Sequence, residues 1–448
     1  MTKKMTSGSP AKLIIAFTLP LLIGNIFQQL YSMADTWIVG RTLGVNALAA
    51  VGSTGSLTFF IIGLIQGLTS GLTIITANRF GAGDEEGVRK SFGAGIWITF
   101  IFSIIIMVFT GLFTRQILEM MRTPEAIIDG AYKYLIIIFL GILATSAFNL
   151  LSNVIRALGD SKTPLIFLVV ACIVNIILDF GFILVLHTGV EGAAYATIIA
   201  QLVSDILCVI YIIKKLPILH IKPSDFKVSK HDLEVHIKLG LPMGFQVSII
   251  AIGAIILQIV LNGLGTVAVA GYTAAQKIDQ IAVQPMNSFG LTMATYTAQN
   301  YGAGKIKRIK SGVFQCVLIS VSFAICIGLV NVFLGYQLSG FFVSSAPKVL
   351  RLSQTYLQIN GALYVILSLL FILRNTIQGL GSVIVPTLAG IMELIMRTFA
   401  AIILAKSMGF AGVSWASPLA WAGALIPVAI FYFYKIRQIS LSSKDTEL

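Results

Sequence analysis

The chain has 448 residues, of which 57% are hydrophobic and 11% charged, with a mean hydropathy of +0.92. A soluble domain of this length needs far more polar surface, so the composition indicates an all-α polytopic membrane protein bathed in lipid. The formal net charge of +13 does not imply nucleic acid, because the basic residues follow membrane topology. They gather at Lys214, Lys215, Lys222, Lys227, Lys230 and Lys238, at Lys305, Lys307, Arg308 and Lys310, and singly at Arg79, Arg156 and Arg374. With these on one side, the positive-inside rule places both termini in the cytoplasm.

A helix needs about 20 apolar residues to cross roughly 30 Å of hydrocarbon. Twelve such segments are centred near residues 25, 62, 102, 141, 173, 202, 250, 282, 321, 363, 395 and 424. The first keeps its long apolar run and carries no small-residue cleavage site, so it reads as a span and not a signal peptide. It contains Asp35, a carboxylate that costs on the order of 2.5–3.5 kcal/mol at a helix centre. Gly24, Gln28, Tyr31 and Asp35 recur at helical spacing, which puts small and polar groups on one face. The second span holds Gly63, Gly67 and Gly71, the small-xxx-small pattern of closely packed membrane helices. The ANRFGAG stretch after it lacks the pattern of a phosphate loop and reads as a glycine-capped cytoplasmic turn.

Spans five and six bring Asn175, Asp179, Thr197 and Asp205. Asn175 lies one turn from Asp179 on the same face, and no Lys or Arg sits within these spans away from their ends. Carboxylates kept together without a neighbouring cation cannot comfortably all stay ionised. Such groups bind and release protons, or sodium, as their surroundings change. The segment from Lys214 to Lys238 reads as a cytoplasmic linker with solvated His220, His231 and His236. In the second half, Lys277, Asp279, Glu393 and Arg397 are intramembrane charges that sum to zero, with Glu393 and Arg397 at ion-pair spacing. Cys172, Cys208, Cys316 and Cys326 lie in apolar spans without CxxC spacing, so neither a disulfide nor a cysteine metal site is expected.

One unit is written twice, at an offset of about 221 residues. Leu19-Pro20 corresponds to Leu241-Pro242, ANRFGAG to AQNYGAG, NVIRALGDSKTP to NTIQGLGSVIVP, and GVEGAAYA to GFAGVSWA. The expected organisation is a six-helix lobe over 1–215, a linker over 216–236 and a second six-helix lobe over 237–448. Six spans per repeat make the halves parallel.

These features together resemble the multidrug and toxic compound extrusion (MATE) family over essentially the whole chain. The resemblance is to its prokaryotic DinF-like branch, which carries an Asp in span one, Asn-x-x-x-Asp in span five and Thr in span six. Those positions are Asp35, Asn175, Asp179 and Thr197 here, with Asn149 of span four as a further member. The NorM-like branch carries acids in spans seven and ten, where this chain has none.

The resemblance implies a cofactor-free antiporter in a prokaryotic plasma membrane. It would exchange protons or sodium for small, cationic, amphiphilic organic compounds, with the chain acting as a monomer. The coupling residues would be Asp35, Asn175, Asp179, Thr197 and Asn149, the first four also offering a possible sodium site. Gln28, Tyr31, Asp205, Lys277, Asp279, Glu393 and Arg397 are the expected cavity residues. Two other classes would show different residues. A flippase for lipid-linked sugars would need a cationic lining, and a membrane enzyme would need a convergent nucleophile, base or metal set that is missing here.

Overall fold

The computed structural model describes residues 4–341 and 346–445, so the extreme termini assigned to the cytoplasm lie outside the described residues. Among the described residues there is no strand. The helices are α1 (Pro10–Thr42), α2 (Val45–Ser53), α3 (Gly55–Ala82), α4 (Glu85–Met120), α5 (Glu125–Leu140), α6 (Ile142–Ala157), α7 (Lys162–Phe180) and α8 (Val190–Lys215). They continue as α9 (Lys230–Gly263), α10 (Thr266–Gly302), α11 (Ile306–Gly340), α12 (Pro347–Ala362), α13 (Tyr364–Gly379), α14 (Ile384–Met408) and α15 (Phe410–Asp445). Among the described residues nine are long and apolar enough to cross a membrane, counting α2–α3 and α7 with its final π turn as single rods, and the bent pairs α5–α6 (48°) and α12–α13 (50°) bring this to eleven. Helix α10, at 37 residues, is the twelfth rod, with Gln276, Lys277, Asp279 and Gln280 in its first half.

The repeat is written in the backbone as well as in the residues. Among the described residues, eight of the nine glycines at positive φ occur in pairs: Gly44 with Gly265, Gly83 with Gly304, Gly159 with Gly381, and Gly189 with Gly409. Gly83 shows why glycine is required, since at φ 78 it returns its N–H to the last turn of α3. The two bends also correspond, at Gly141 and at Leu363. A Cβ at Gly141 would come within 2.4 Å of Ile198, so this bend lets α8 lie close.

The chain separates into two compact units. The first is Leu19–Gly244. One of its cores joins Ile38, Val39, Leu135, Ile142 and Ala194, and another joins Phe80, Val88, Leu150, Ile155 and Cys208. Phe100, Ile101, Ile105, Phe109 and Leu112 of α4 are exposed, an outer face suited to hydrocarbon and not to water. Lipid tails give helices no hydrophobic reason to associate, so close packing of small residues matters more. Gly67 and Gly71 of α3 meet Gly240 and Gly244 of α9 nearly backbone to backbone. A Cβ on Gly67 would lie 2.4 Å from the Met243 carbonyl, and one on Gly71 would lie 2.6 Å from Gly240 Cα.

Polar contacts pin the same end of α9. Arg79 pairs with Asp232 at 2.6 Å, and His236 shares a 2.8 Å hydrogen bond with Ser91, which in turn contacts Thr76. His236 is therefore not a solvated linker residue. It is fully buried, because α9 begins at Lys230 and its first turns lie against α3 and α4. His220, by contrast, is exposed and bonds the Ile213 carbonyl.

The second unit is Phe245–Leu448 together with Met5–Thr18. Its core includes Leu257, Leu261, Ala275, Ile278, Tyr356, Leu357 and Ala416. The N-terminal stretch is held by the second glycine-turn motif. Gln299 accepts from the Met5 N–H at 2.8 Å, Asn300 donates to the Met5 carbonyl, and Lys305 donates to the Thr6 carbonyl.

Candidate functional site

Helix α7 is apolar except at its last turns, where Asn175 and Asp179 follow one another on one face and are both fully buried. A π-helical turn, Gly181–Val185, follows directly; such widened turns recur at functional sites. Helix α1 supplies Asp35, 8% exposed, and Tyr31. Helix α8 supplies Thr197, whose hydroxyl donates to the Ala193 carbonyl at 3.0 Å and also meets the Tyr31 hydroxyl at 3.0 Å. The structure thus brings Asp35, Asn175, Asp179, Thr197 and Tyr31 together from three helices.

The Asp35 and Asp179 carboxyl groups lie within hydrogen-bond reach of each other. Asp35 Oδ1, both Asp179 oxygens and both polar atoms of the Asn175 amide are buried with no partner among the described residues. Leaving such a group unmade costs about 1–3 kcal/mol, and four of the five are oxygens, a local deficit of protons or positive charge. A proton held by the carboxyl pair, or a cation among the four oxygens, would reduce it.

Tyr134 of α5 also lies within electrostatic range of Asp35, Asp179 and Tyr31, a neighbour that sequence reading overlooked. Its Tyr-Leu dipeptide recurs at Tyr356-Leu357 at the repeat offset, and that recurrence was the available signal.

Other expected members make different contacts. Asn149 donates to the Thr145 carbonyl one turn back in α6. Gln28 is exposed. Asp205 follows Thr197 and Gln201 down α8 at four-residue spacing, and its Oδ1, like Gln201 Oε1, is buried without a partner.

The second unit handles its charges differently. Glu393 is gripped on both sides, by Arg397 at 2.8 Å and by Arg374 at 2.8 Å. Arg374 is only 3% exposed. It is thus buried against Glu393 and not free at a surface. Asp279 accepts a 2.6 Å hydrogen bond from the Tyr364 hydroxyl and feels the Arg397 guanidinium. Lys277 is exposed and forms no ion pair among the described residues. The buried charges that balance are therefore Asp279 and Glu393 against Arg374 and Arg397.

The family model MatE matches residues 20–180 and again 242–403, once in each half. The chain belongs to the MatE family. Members of this family are membrane transporters and not enzymes. Among curated relatives, the "Probable multidrug resistance protein YpnP" of Bacillus subtilis (strain 168) is 28% identical over 383 residues, covering 85% of this chain and 84% of that protein. The "Multidrug export protein MepA" of Staphylococcus saprophyticus is 24% identical over 397 residues, covering 84% of each. A crystal structure of MATE in the bent conformation superposes with a TM-score of 0.92 at 23% identity, over 99% of this chain and all of that one. This likeness shows a shared fold: the MATE arrangement of twelve membrane helices in two parallel six-helix repeats.

Proposed function

We propose that this MATE chain is a secondary antiporter that exports organic cations in exchange for protons, with Asp35 and Asp179 as the coupling pair. One observation carries the reading: two buried carboxyl groups meet with no donor between them. Such a pair holds a proton readily and gives it up when water or a cation reaches it. Asn175, Thr197, Tyr31 and Tyr134 would position the pair and answer its change of charge. Sodium is the second reading. It would need most of the oxygens of Asp35, Asn175, Asp179 and Thr197 at once, and Thr197 is already engaged by Tyr31 and Ala193.

The multidrug names of the relatives support an organic cargo. The all-acidic first-lobe site supports a cationic one and disfavours a lipid-linked sugar, whose phosphates it would repel. The coupling ion can shift the conformational balance only by its difference in affinity for the two states. That difference is what an emptied and a filled carboxyl pair provides. We place the chain in a prokaryotic plasma membrane with both termini cytoplasmic, acting alone, with residues 1–215 and 237–448 as its lobes and 216–236 as linker.

The test is export from proteoliposomes driven by an imposed pH gradient in sodium-free buffer. Export that grows with the gradient is expected. Export that vanishes without sodium at every gradient would make the four residues a sodium site instead.

A further inference from the structure

The segment after α8 is folded onto the first unit. Leu216 and Leu219 are buried in one core with Val88 and Phe92 of α4 and Ile212 of α8. The short turn Pro223–Phe226 is then fastened to α4 through Asp225. That carboxylate accepts the Lys222 N–H at 2.8 Å and pairs with Arg89 at 3.4 Å. Gly93 admits the turn, since a Cβ there would stand 2.9 Å from the Asp225 carbonyl oxygen. Beyond it the exposed Phe226 ring meets the exposed Trp97 ring of α4 edge to face at 6.5 Å.

The outer face of α4 fixes the depth of this turn. Glu85 and Glu86 are exposed at the start of the helix, and Lys90 pairs with Glu86 at 2.7 Å. From Phe100 to Phe113 every exposed residue is apolar. Trp97 stands between these zones, where tryptophan ordinarily marks the headgroup layer of a bilayer. Phe226 rests on it, so the turn and its flanking Lys222 and Lys227 lie at the same layer. Both lysines are exposed, and neither ammonium has an ion-pair partner among the described residues.

We propose that Lys222, Lys227 and the Trp97–Phe226 pair form a docking surface for anionic phospholipid headgroups, of which phosphatidylglycerol is a simple example. Lysines at the membrane surface attract anionic lipids over about a Debye length. Here their place is set by a folded turn, and the two rings between them offer the apolar contact that a lipid has and a soluble phosphate lacks. Positive-inside topology needs only a count of basic residues on one side. This surface needs two particular lysines beside one aromatic pair. It rests on the membrane setting and not on the coupling ion or the cargo.

The test places the full chain in nanodiscs of phosphatidylcholine with a minor share of phosphatidylglycerol, with one or the other lipid brominated, and reads tryptophan fluorescence. Brominated phosphatidylglycerol should quench more than brominated phosphatidylcholine at equal mole fraction, and Trp97→Phe should remove that excess. Lys222→Gln/Lys227→Gln should lower the apparent affinity for phosphatidylglycerol about tenfold, and Lys222→Arg/Lys227→Arg should keep it. Lys307→Gln/Lys310→Gln, which removes two exposed lysines elsewhere, should leave it unchanged. Equal quenching by the two lipids overturns the proposal, and so does an equal effect of the two glutamine pairs, which would mean diffuse charge. Loss of the excess in millimolar inorganic phosphate also overturns it, marking a soluble-anion site. All the substituted residues are exposed, and no gradient or cargo is used, so these outcomes are independent of whether protons drive export.

Discussion

Tyr31 and Thr197 stand with their hydroxyls 3.0 Å apart, so one hydrogen bond ties helix α1 to helix α8 directly beside the Asp35–Asp179 pair. Tyr31→Phe removes that bond and nothing else of the ring. The expected stability loss is about 0.5–1.5 kcal/mol, read by thermal unfolding. A larger effect is expected on the pH profile of export, because the bond positions α1 against the acids. A pH profile identical to wild type would make Tyr31 a packing residue only.

Asp35→Asn should abolish coupled export while the protein stays inserted and folded. The substitution keeps the shape of the side chain and removes its ability to carry a proton. It also supplies the amide donor that Asp179 lacks, so stability should be equal to or above wild type. Drug efflux near the wild-type rate from a well-expressed variant would remove Asp35 from the coupling role.

Glu393 and its two arginines predict an asymmetry. Glu393→Gln removes the carboxylate that both guanidiniums touch, leaving only the more distant Asp279 to offset them, and should cost about 3–5 kcal/mol. Arg397→Met leaves the neutral Arg374–Glu393 pair intact, withdraws only the non-contacting charge from Asp279, and should cost less. Equal losses in thermal or denaturant unfolding would show that the three side chains do not share charge as their 2.8 Å contacts imply.

The glycine crossing of α3 and α9 sets a steric test. Gly71→Ala forces a Cβ to within 2.6 Å of the Gly240 backbone, and overpacking of this kind costs about 1–3 kcal/mol. Gly181→Ala, where nothing lies within 4 Å, is the matched control and should be close to neutral. If both variants melt alike, the helices can separate at little cost.

Much of this was legible in the residues. The repeat could be read because its landmarks are turns, and turns are spelled by glycine and proline at positions that tolerate little else. The acids of spans one and five could be read because a carboxylate in an apolar run is conspicuous. Arg374 could not. It stands at the end of an apolar segment, where basic residues ordinarily mark the cytoplasm, and its burial against Glu393 depends on how α13 meets α14. His236 was hidden in the same way by the lysines around it, since nothing in that composition announces a helix lying on α3. Tyr134 is one aromatic residue among many in the membrane, and proximity to two acids leaves no local mark.

The paired turns have one more consequence. Because Pro164 and Pro386 open equivalent helices, Asn175 of α7 and Arg397 of α14 occupy the same socket in the two halves. Asp179 likewise answers to Ala401, and Glu393 to Ala171. Duplicated scaffolding has thus been rewired one position at a time. One copy keeps an amide beside naked acids, and the other mounts a cation that cancels its own. Two identical parallel copies would carry the same chemistry in each lobe. These unlike copies divide it between them, and the difference resides in a handful of side chains on an otherwise shared frame.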